Sequence, residues 1–133
     1  MFLHFCSIPT PWSGNSLAPW FCGPAKGGAI RIAAPIPNEW LIVGEGVEST
    51  ASAMQLLDLP GWAALSAGGI ENLILPPGVN KIIVAVDNDI NGRGEWSARI
   101  AATRWLGEGR RVQITIPPIP GTDFNNICWG EQW

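Results

Sequence analysis

Two short runs of consecutive apolar residues organise the chain, and acidic residues follow each of them. Residues 82–86 read IIVAV, a β-branched run without polar alternation, which is typical of a strand buried on both faces. Asp87 and Asp89 follow this run, and residues 40–43, which read WLIV, lead in the same way to Glu45 between two glycines. Because ligands bind at the carboxyl ends of the strands in open α/β sheets, the pattern predicts that these three acids meet at one edge of a sheet.

Apolar residues at helical spacing predict two helices between the strands. The first helix begins at Val47 and ends before Pro60, and the second spans residues 94–106 and ends at Gly107. The other predicted elements are a short edge strand at 29–33, strands at 62–65 and 111–116, and a helical turn at 71–75. This order predicts the α/β class, with a parallel sheet of about four strands flanked by helices and joined by right-handed crossovers.

Tryptophan and arginine each suggest a nucleic-acid surface and each have a simpler explanation. Four of the eight tryptophans fall at apolar positions of predicted elements, and we expect them to be core or interface anchors rather than base-stacking platforms: Trp40, Trp62, Trp96 and Trp105. Four arginines add basic character to one region, either as a solvated helix face or as nucleic-acid contacts: Arg99, Arg104, Arg110 and Arg111.

Composition narrows the class of protein. The 133 residues suffice for one domain with a core, and 47% hydrophobic against 14% charged residues exclude disorder for most of the chain. A net charge of -3 argues against a protein that grips nucleic acid through its own basic surface, so metal ions or another domain would have to supply positive charge. Three cysteines without CxxC spacing favour neither a disulfide framework nor a zinc site, and a cytoplasmic location is expected. The sequence predicts neither secretion nor association with a membrane, because the apolar start lacks basic residues and no apolar run reaches transmembrane length.

Three converging carboxylates require a proton or a cation. Two unit charges about 4 Å apart repel by about 4 kcal/mol at an effective dielectric constant of 20. Mg²⁺ is the natural occupant, because it takes oxygen ligands and keeps positions for water or substrate phosphates. No histidine or cysteine lies near these acids in the sequence, which argues against zinc.

A set of motifs in fixed order identifies a resemblance. The segments GPAKGGAIRI, GEGVES, ALSAGG, DNDINGR and GTDFNN resemble, in this order, those of the Toprim domain, a Rossmann-like domain shared by bacterial-type primases, type IA and II topoisomerases, OLD-type nucleases and RecR-type repair proteins. They are most similar to the Toprim domains of phage- and plasmid-type primases and primase-helicases. The resemblance implies a Toprim-like catalytic domain at residues 23–133, after an irregular leader or remnant of an upstream region at 1–22.

The resemblance also implies a chemistry. Glu45 resembles the catalytic glutamate of the family, a general base in strand joining or a general acid in strand cleavage, and it is also expected among the metal-binding residues. Asp87 and Asp89 resemble the Mg²⁺ ligands, with Mn²⁺ as a substitute. A nucleic-acid 3′-hydroxyl would attack a nucleotide α-phosphate with the help of the metal, so single-stranded DNA and nucleoside triphosphates are the implied partners.

Five further residues are auxiliary candidates, each with a structural alternative. Glu48 would orient a metal-bound water or act as a helix N-terminal acid. Asp123 would be an additional acid or a local turn former. Arg93 would bind phosphate or pair with the aspartates. Lys26 and Arg31 would bind phosphate or remain solvated beside a turn.

The sequence departs from the family pattern in two respects, and two other functions remain as alternatives. Asn126 stands where the family usually has aspartate, and zinc-binding and helicase segments of full-length relatives are missing, so an isolated domain that works with such partners is expected. An OLD-type endonuclease and a non-catalytic nucleic-acid-binding or scaffolding module are the alternatives. A haloacid dehalogenase-like phosphatase is disfavoured, because Asn91 occupies its threonine position and Glu45 precedes the DxD.

Overall fold

The fold is a five-stranded sheet flanked by helices. The computed structural model describes residues 27–118 and 121–124. In chain order the elements are β1 (Ile30–Arg31), β2 (Leu41–Gly44), α1 (Val47–Leu57), β3 (Gly61–Ala63), α2 (Ala67–Asn72), β4 (Lys81–Ala85), α3 (Arg93–Gly107) and β5 (Arg111–Thr115). The strands lie in the order β1-β3-β2-β4-β5. The four neighbouring strands β3, β2, β4 and β5 are parallel, and β1 pairs antiparallel with β3 at the edge of the sheet. The predicted α/β class is confirmed, and the predicted edge strand adds a fifth strand to the sheet.

The two apolar runs become the two central strands. All four residues of β2 are buried, and so are all residues of β4 after the first. Ile42 pairs with Ile83 and Gly44 with Ala85, so the two strands end level with each other. The residues that follow β2 and β4 therefore emerge side by side at the same edge of the sheet.

Helices cover the two faces of the sheet unequally. Helices α2 and α3 cover one face, where the larger apolar cluster contains Trp62, Ile70, Val84 and Trp105. The opposite face carries α1 and a smaller cluster built on Ile42, Ala53, Ile83, Ala85 and Phe124. The indole N–H of Trp62 also donates to the Ala33 carbonyl at 3.0 Å, which ties the segment after β1 to the sheet.

Helix α2 begins earlier than the sequence predicted. Ser66 caps it, accepting a hydrogen bond from the Gly69 amide at 2.8 Å, and the helix ends at Asn72. Most of the helical turn predicted at 71–75 is therefore wrong. Leu73 and Leu75 continue beyond the helix into the larger cluster, where both are buried.

Of the two roles predicted for Trp96, a core or an interface anchor, the first is wrong. Trp96 is 59% exposed, whereas Trp62 and Trp105 are buried in the core; the role of Trp96 as an interface anchor stays a prediction. Trp96 and Trp105 lie nine residues apart on α3, which places them on roughly opposite sides of an α-helix. Small residues such as Ala98 and Ala101 bring α3 close to the sheet on the buried side. In residues 27–118 and 121–124, no helix has both the length and the apolar character needed to cross a membrane.

Candidate acidic site at the carboxyl edge of the sheet

Glu45, Asp87 and Asp89 are brought to one edge of the sheet by the ends of β2 and β4. The pKa of Glu45 is raised, first by burial and then by the negative charges of Asp87 and Asp89, while the Arg93 guanidinium acts in the opposite direction. The acids are thus close enough to influence each other electrostatically. The three acids thus share the edge of the sheet that the two apolar runs predicted, and their roles stay predictions.

Asp87 is the more buried aspartate, and a second loop contributes to its environment. Its pKa is raised, first by burial, and the charges of Asp123 and Asp89 add to the effect. A hydrogen bond from the Ser49 hydroxyl, 2.7 Å from Asp87 Oδ1, acts in the opposite direction because it stabilises the carboxylate. Asp87 is therefore a half-buried acid with one oxygen already bound by the protein.

The loop after β4 is tied to the segment that carries Asp123. The Asn88 amide donates to the Thr122 carbonyl at 2.9 Å, and the Gly121 amide donates to the Asn88 carbonyl at 2.7 Å. The Asn88 side chain donates to the Pro117 carbonyl, also at 2.7 Å. Residues 87–91 and 121–123 line a cavity of about 390 Å³ between these segments. Asp123 therefore lies beside the aspartates of the acidic site, and its role as an additional acid stays a prediction.

Helix α3 begins immediately beyond the aspartates. Gly92, its N-terminal capping residue, has φ 72°, a left-handed conformation that glycine adopts without steric cost. Arg93 lies at the first position of the helix, and its guanidinium is 3.4 Å from Glu71 Oε2. The predicted pairing of Arg93 with the aspartates is thus replaced by an ion pair with Glu71, while its charge still acts on Glu45.

The remaining predicted residues lie in different places. Glu48 is exposed in the first turn of α1, whereas its neighbour Ser49 contacts Asp87. Arg31 lies on the edge strand β1, with its guanidinium carbon 4.2 Å from the centre of the Trp62 ring. Lys26, Asn126 and residues 1–22 lie outside the described residues.

Ser49 was missed by the sequence argument. Its hydrogen bond joins residues 38 positions apart, and no local pattern encodes such a contact. Ser49 lies four residues beyond Glu45, near the start of a helix that begins at the acidic edge, but this position alone does not show which way its side chain faces.

The donor set suits a hard, hydrated cation. Within the described part of the chain, no three His, Cys, Asp or Glu side chains are placed to bind one ion together. Mg²⁺ commonly binds proteins through one or two carboxylates and retains several waters. The site therefore fits an ion held by one or two aspartates, and a shared ion bound directly by Glu45, Asp87 and Asp89 stays a prediction.

Comparisons with known proteins agree with this geometry. The family model described as Toprim domain matches residues 40–131. A DNA primase domain from Pseudomonas aeruginosa is 26% identical with a TM-score of 0.51, covering 70% of this chain and 30% of that one. The DnaG catalytic core is 25% identical with a TM-score of 0.52, covering 71% and 31%.

A third structure, the DnaG primase catalytic domain bound to ssDNA, is 24% identical with a TM-score of 0.51 and supports the fold alone; the match covers 73% of this chain and 32% of that one. This chain thus spans about a third of the length of these solved structures. No curated protein sequence matches it. Since the family model covers well over half of the 133 residues, the chain belongs to the Toprim domain family, and its fold is similar to that of the DnaG primase catalytic core.

Proposed function

We propose that this chain is the Toprim part of a DNA primase or primase-helicase and carries out metal-dependent nucleotidyl transfer on nucleic acid. The observation that carries the proposal is the electrostatic coupling of Glu45, Asp87 and Asp89 at the carboxyl edge of a Toprim sheet. Burial and mutual repulsion raise the pKa values of Glu45 and Asp87, and carboxyl groups perturbed in this way are typical of functional sites. Toprim domains generally bind divalent metal ions, which relieve this repulsion.

Each acid has a role in the proposal. Asp87 and Asp89 would hold Mg²⁺, for which Mn²⁺ can substitute, and Asp123 and Glu48 would bind its waters. When bound, the ion would supply positive charge against the reacting phosphate and favour ionisation of the attacking hydroxyl. Glu45 would accept the proton of that hydroxyl, since a raised pKa brings a carboxyl closer to the range in which it exchanges protons at neutral pH. Arg93 at the start of α3 would contact a nucleotide phosphate.

The proposed partners are single-stranded DNA and nucleoside triphosphates. Residues 23–133 would form the catalytic domain, with Lys26 and Arg31 as further phosphate contacts and 1–22 as an irregular leader or the remnant of an upstream region. A helicase or zinc-binding domain outside this chain would complete the machinery in the cytoplasm.

Titration calorimetry with Mg²⁺ and Mn²⁺ tests the metal site. We expect the wild-type chain to bind and the double variant Asp87→Asn/Asp89→Asn to lose binding. The variant Glu95→Gln/Glu108→Gln is a matched control, because it also removes two negative charges but from exposed ion pairs of α3 and the turn after it. Circular dichroism of all three proteins verifies that they fold. Absence of binding in the wild type would contradict the proposal.

Activity is tested on single-stranded DNA with nucleoside triphosphates and Mg²⁺. Primer synthesis that is lost in Glu45→Gln, while the variant remains folded, is the expected result. Nicking without synthesis would instead assign an OLD-type endonuclease, which uses the same acids with water as the nucleophile. Metal binding with neither activity would favour a non-catalytic module.

A further inference from the structure

We propose that Ser49 is a positioning residue that holds the carboxylate of Asp87 in the orientation required for metal binding. This inference rests on the proposed function, because it concerns the same metal site. The Ser49 hydroxyl donates to Asp87 Oδ1 at 2.7 Å and thereby links the first turn of α1 to the loop after β4. It also links the segment that carries Glu45 to the segment that carries both aspartates.

The position of Ser49 is set by packing that is independent of Asp87. The next residue, Thr50, is completely buried, and its hydroxyl donates to the Gly46 carbonyl at 2.6 Å. A Cβ atom at Gly44 would lie 2.2 Å from Thr50 Oγ1, and one at Gly61 would lie 3.2 Å from Thr50 Cγ2. The first turn of α1 is therefore seated directly on β2 and β3. Ser49 presents its hydroxyl from a fixed support, as a positioning residue must.

The hydrogen bond engages one of the two carboxylate oxygens of Asp87. A serine hydroxyl carries one hydrogen, and here that hydrogen is used on Oδ1, which fixes the plane of the carboxylate. Oδ2 is the carboxylate oxygen that Ser49 does not engage. Partners that orient metal ligands in this way commonly change metal affinity 10- to 100-fold when they are removed.

Calorimetric titration of Mn²⁺ into five proteins tests the inference: the wild type, Ser49→Ala, Ser49→Thr, Ser97→Ala and Asp87→Asn. We expect Ser49→Ala to weaken Mn²⁺ binding about 10-fold or more. Ser49→Thr, which keeps a hydroxyl, should restore affinity to within about threefold of the wild type. Alanine favours helix more than serine, so Ser49→Ala should remain folded, and its melting temperature verifies this.

Ser97→Ala is the matched control. Ser97 Oγ donates to Glu71 Oε2 at 2.6 Å, so this variant also removes a hydrogen bond from a serine to a carboxylate, but outside the acidic site. We expect it to leave the Mn²⁺ dissociation constant within twofold of the wild type. Equal weakening in Ser49→Ala and Ser97→Ala would show a general structural effect and would overturn the inference.

The outcomes separate this inference from the proposed function. If wild type binds Mn²⁺, Asp87→Asn abolishes binding and Ser49→Ala leaves it unchanged, the positioning role is refuted while the metal site stands. If the wild type does not bind Mn²⁺, the proposed function fails, and the role of Ser49 fails with it.

Discussion

Substitution of Gly44 by alanine probes the contact that seats α1 on the sheet beside Glu45. The new Cβ atom would lie 2.2 Å from Thr50 Oγ1 and 3.2 Å from Thr50 Cβ. Thr50 cannot rotate away freely, because it is fully buried and its hydroxyl is bonded to the Gly46 carbonyl. Helix α1 must therefore move away from β2, or the carboxyl end of β2 must distort.

The expected loss in the free energy of unfolding can be estimated for Gly44 and Thr50 separately. Overpacking of this kind costs about 1–3 kcal/mol in the free energy of unfolding. Thr50→Ala alone should cost about 2 kcal/mol, from a buried methyl group at about 0.8 kcal/mol and a hydrogen bond at about 1 kcal/mol. In the double variant the hydroxyl that blocks the new Cβ is absent. We therefore expect the double variant to be more stable than additivity predicts by about 1 kcal/mol, a coupling typical of residues in contact.

Urea denaturation of the two single variants and the double variant measures this coupling. Gly107→Ala at the end of α3 is the control, since a Cβ there meets nothing within 4 Å and alanine favours the helix. It should be neutral or slightly stabilising. Effects of Gly44→Ala and Thr50→Ala that add to within about 0.5 kcal/mol would refute the reasoning, because they would show that the two residues do not compete for the same space.

Three further predictions concern the acids, the packing of α2 against the loop after β3, and the exposed face of α3. Without metal, the free energy of unfolding should rise as pH falls from 7 toward about 4.5, because Glu45 and Asp87 have raised pKa values and bind protons more readily in the folded state. Urea denaturation of Glu45→Gln across this pH range should show a smaller rise. The same dependence on pH in the variant and the wild type would contradict the assignment to Glu45. Gly69→Ala in α2 should lower the melting temperature by several degrees, because the new Cβ would lie 2.2 Å from the Ala64 carbonyl oxygen, and a backbone atom cannot rotate aside. An unchanged melting temperature would show that α2 can shift. Trp96→Ser should change the free energy of unfolding by less than about 0.5 kcal/mol in urea denaturation, because Trp96 is 59% exposed. A larger loss of stability would show that the indole ring packs within the fold.

The sequence was sufficient for the central strands and for the common location of the acids. An unbroken apolar run leaves few alternatives to a strand buried on both faces, and parallel strands of similar length end at the same edge. The core position was wrong for Trp96, because an apolar residue type does not show which side of the helix the residue lies on. The start of α2 was also wrong, because the capping hydrogen bond of Ser66, rather than apolar periodicity, sets it. The contact between Ser49 and Asp87 depends on the positions of two elements in the folded chain and has no local signature.

The arginines explain why an acidic Toprim chain would need help to hold nucleic acid. Arg104 donates to the Glu71 and Leu73 carbonyls, where the chain leaves α2. Arg110 donates to three further carbonyls of the segment before β4, namely those of Leu75, Pro76 and Val79.

These two guanidinium groups are used to satisfy backbone oxygens between α2 and β4, so they add little to a surface that could neutralise phosphates. Arg99 is engaged with Glu95 at 2.6 Å, which offsets its charge on the exposed face of α3. Within the described residues, these three arginines are thus engaged inside the fold, in a chain whose net charge is -3. The charge of Arg93 already acts on Glu45, and under the proposed function bound metal ions or a neighbouring domain would supply the further positive charge that nucleic acid requires.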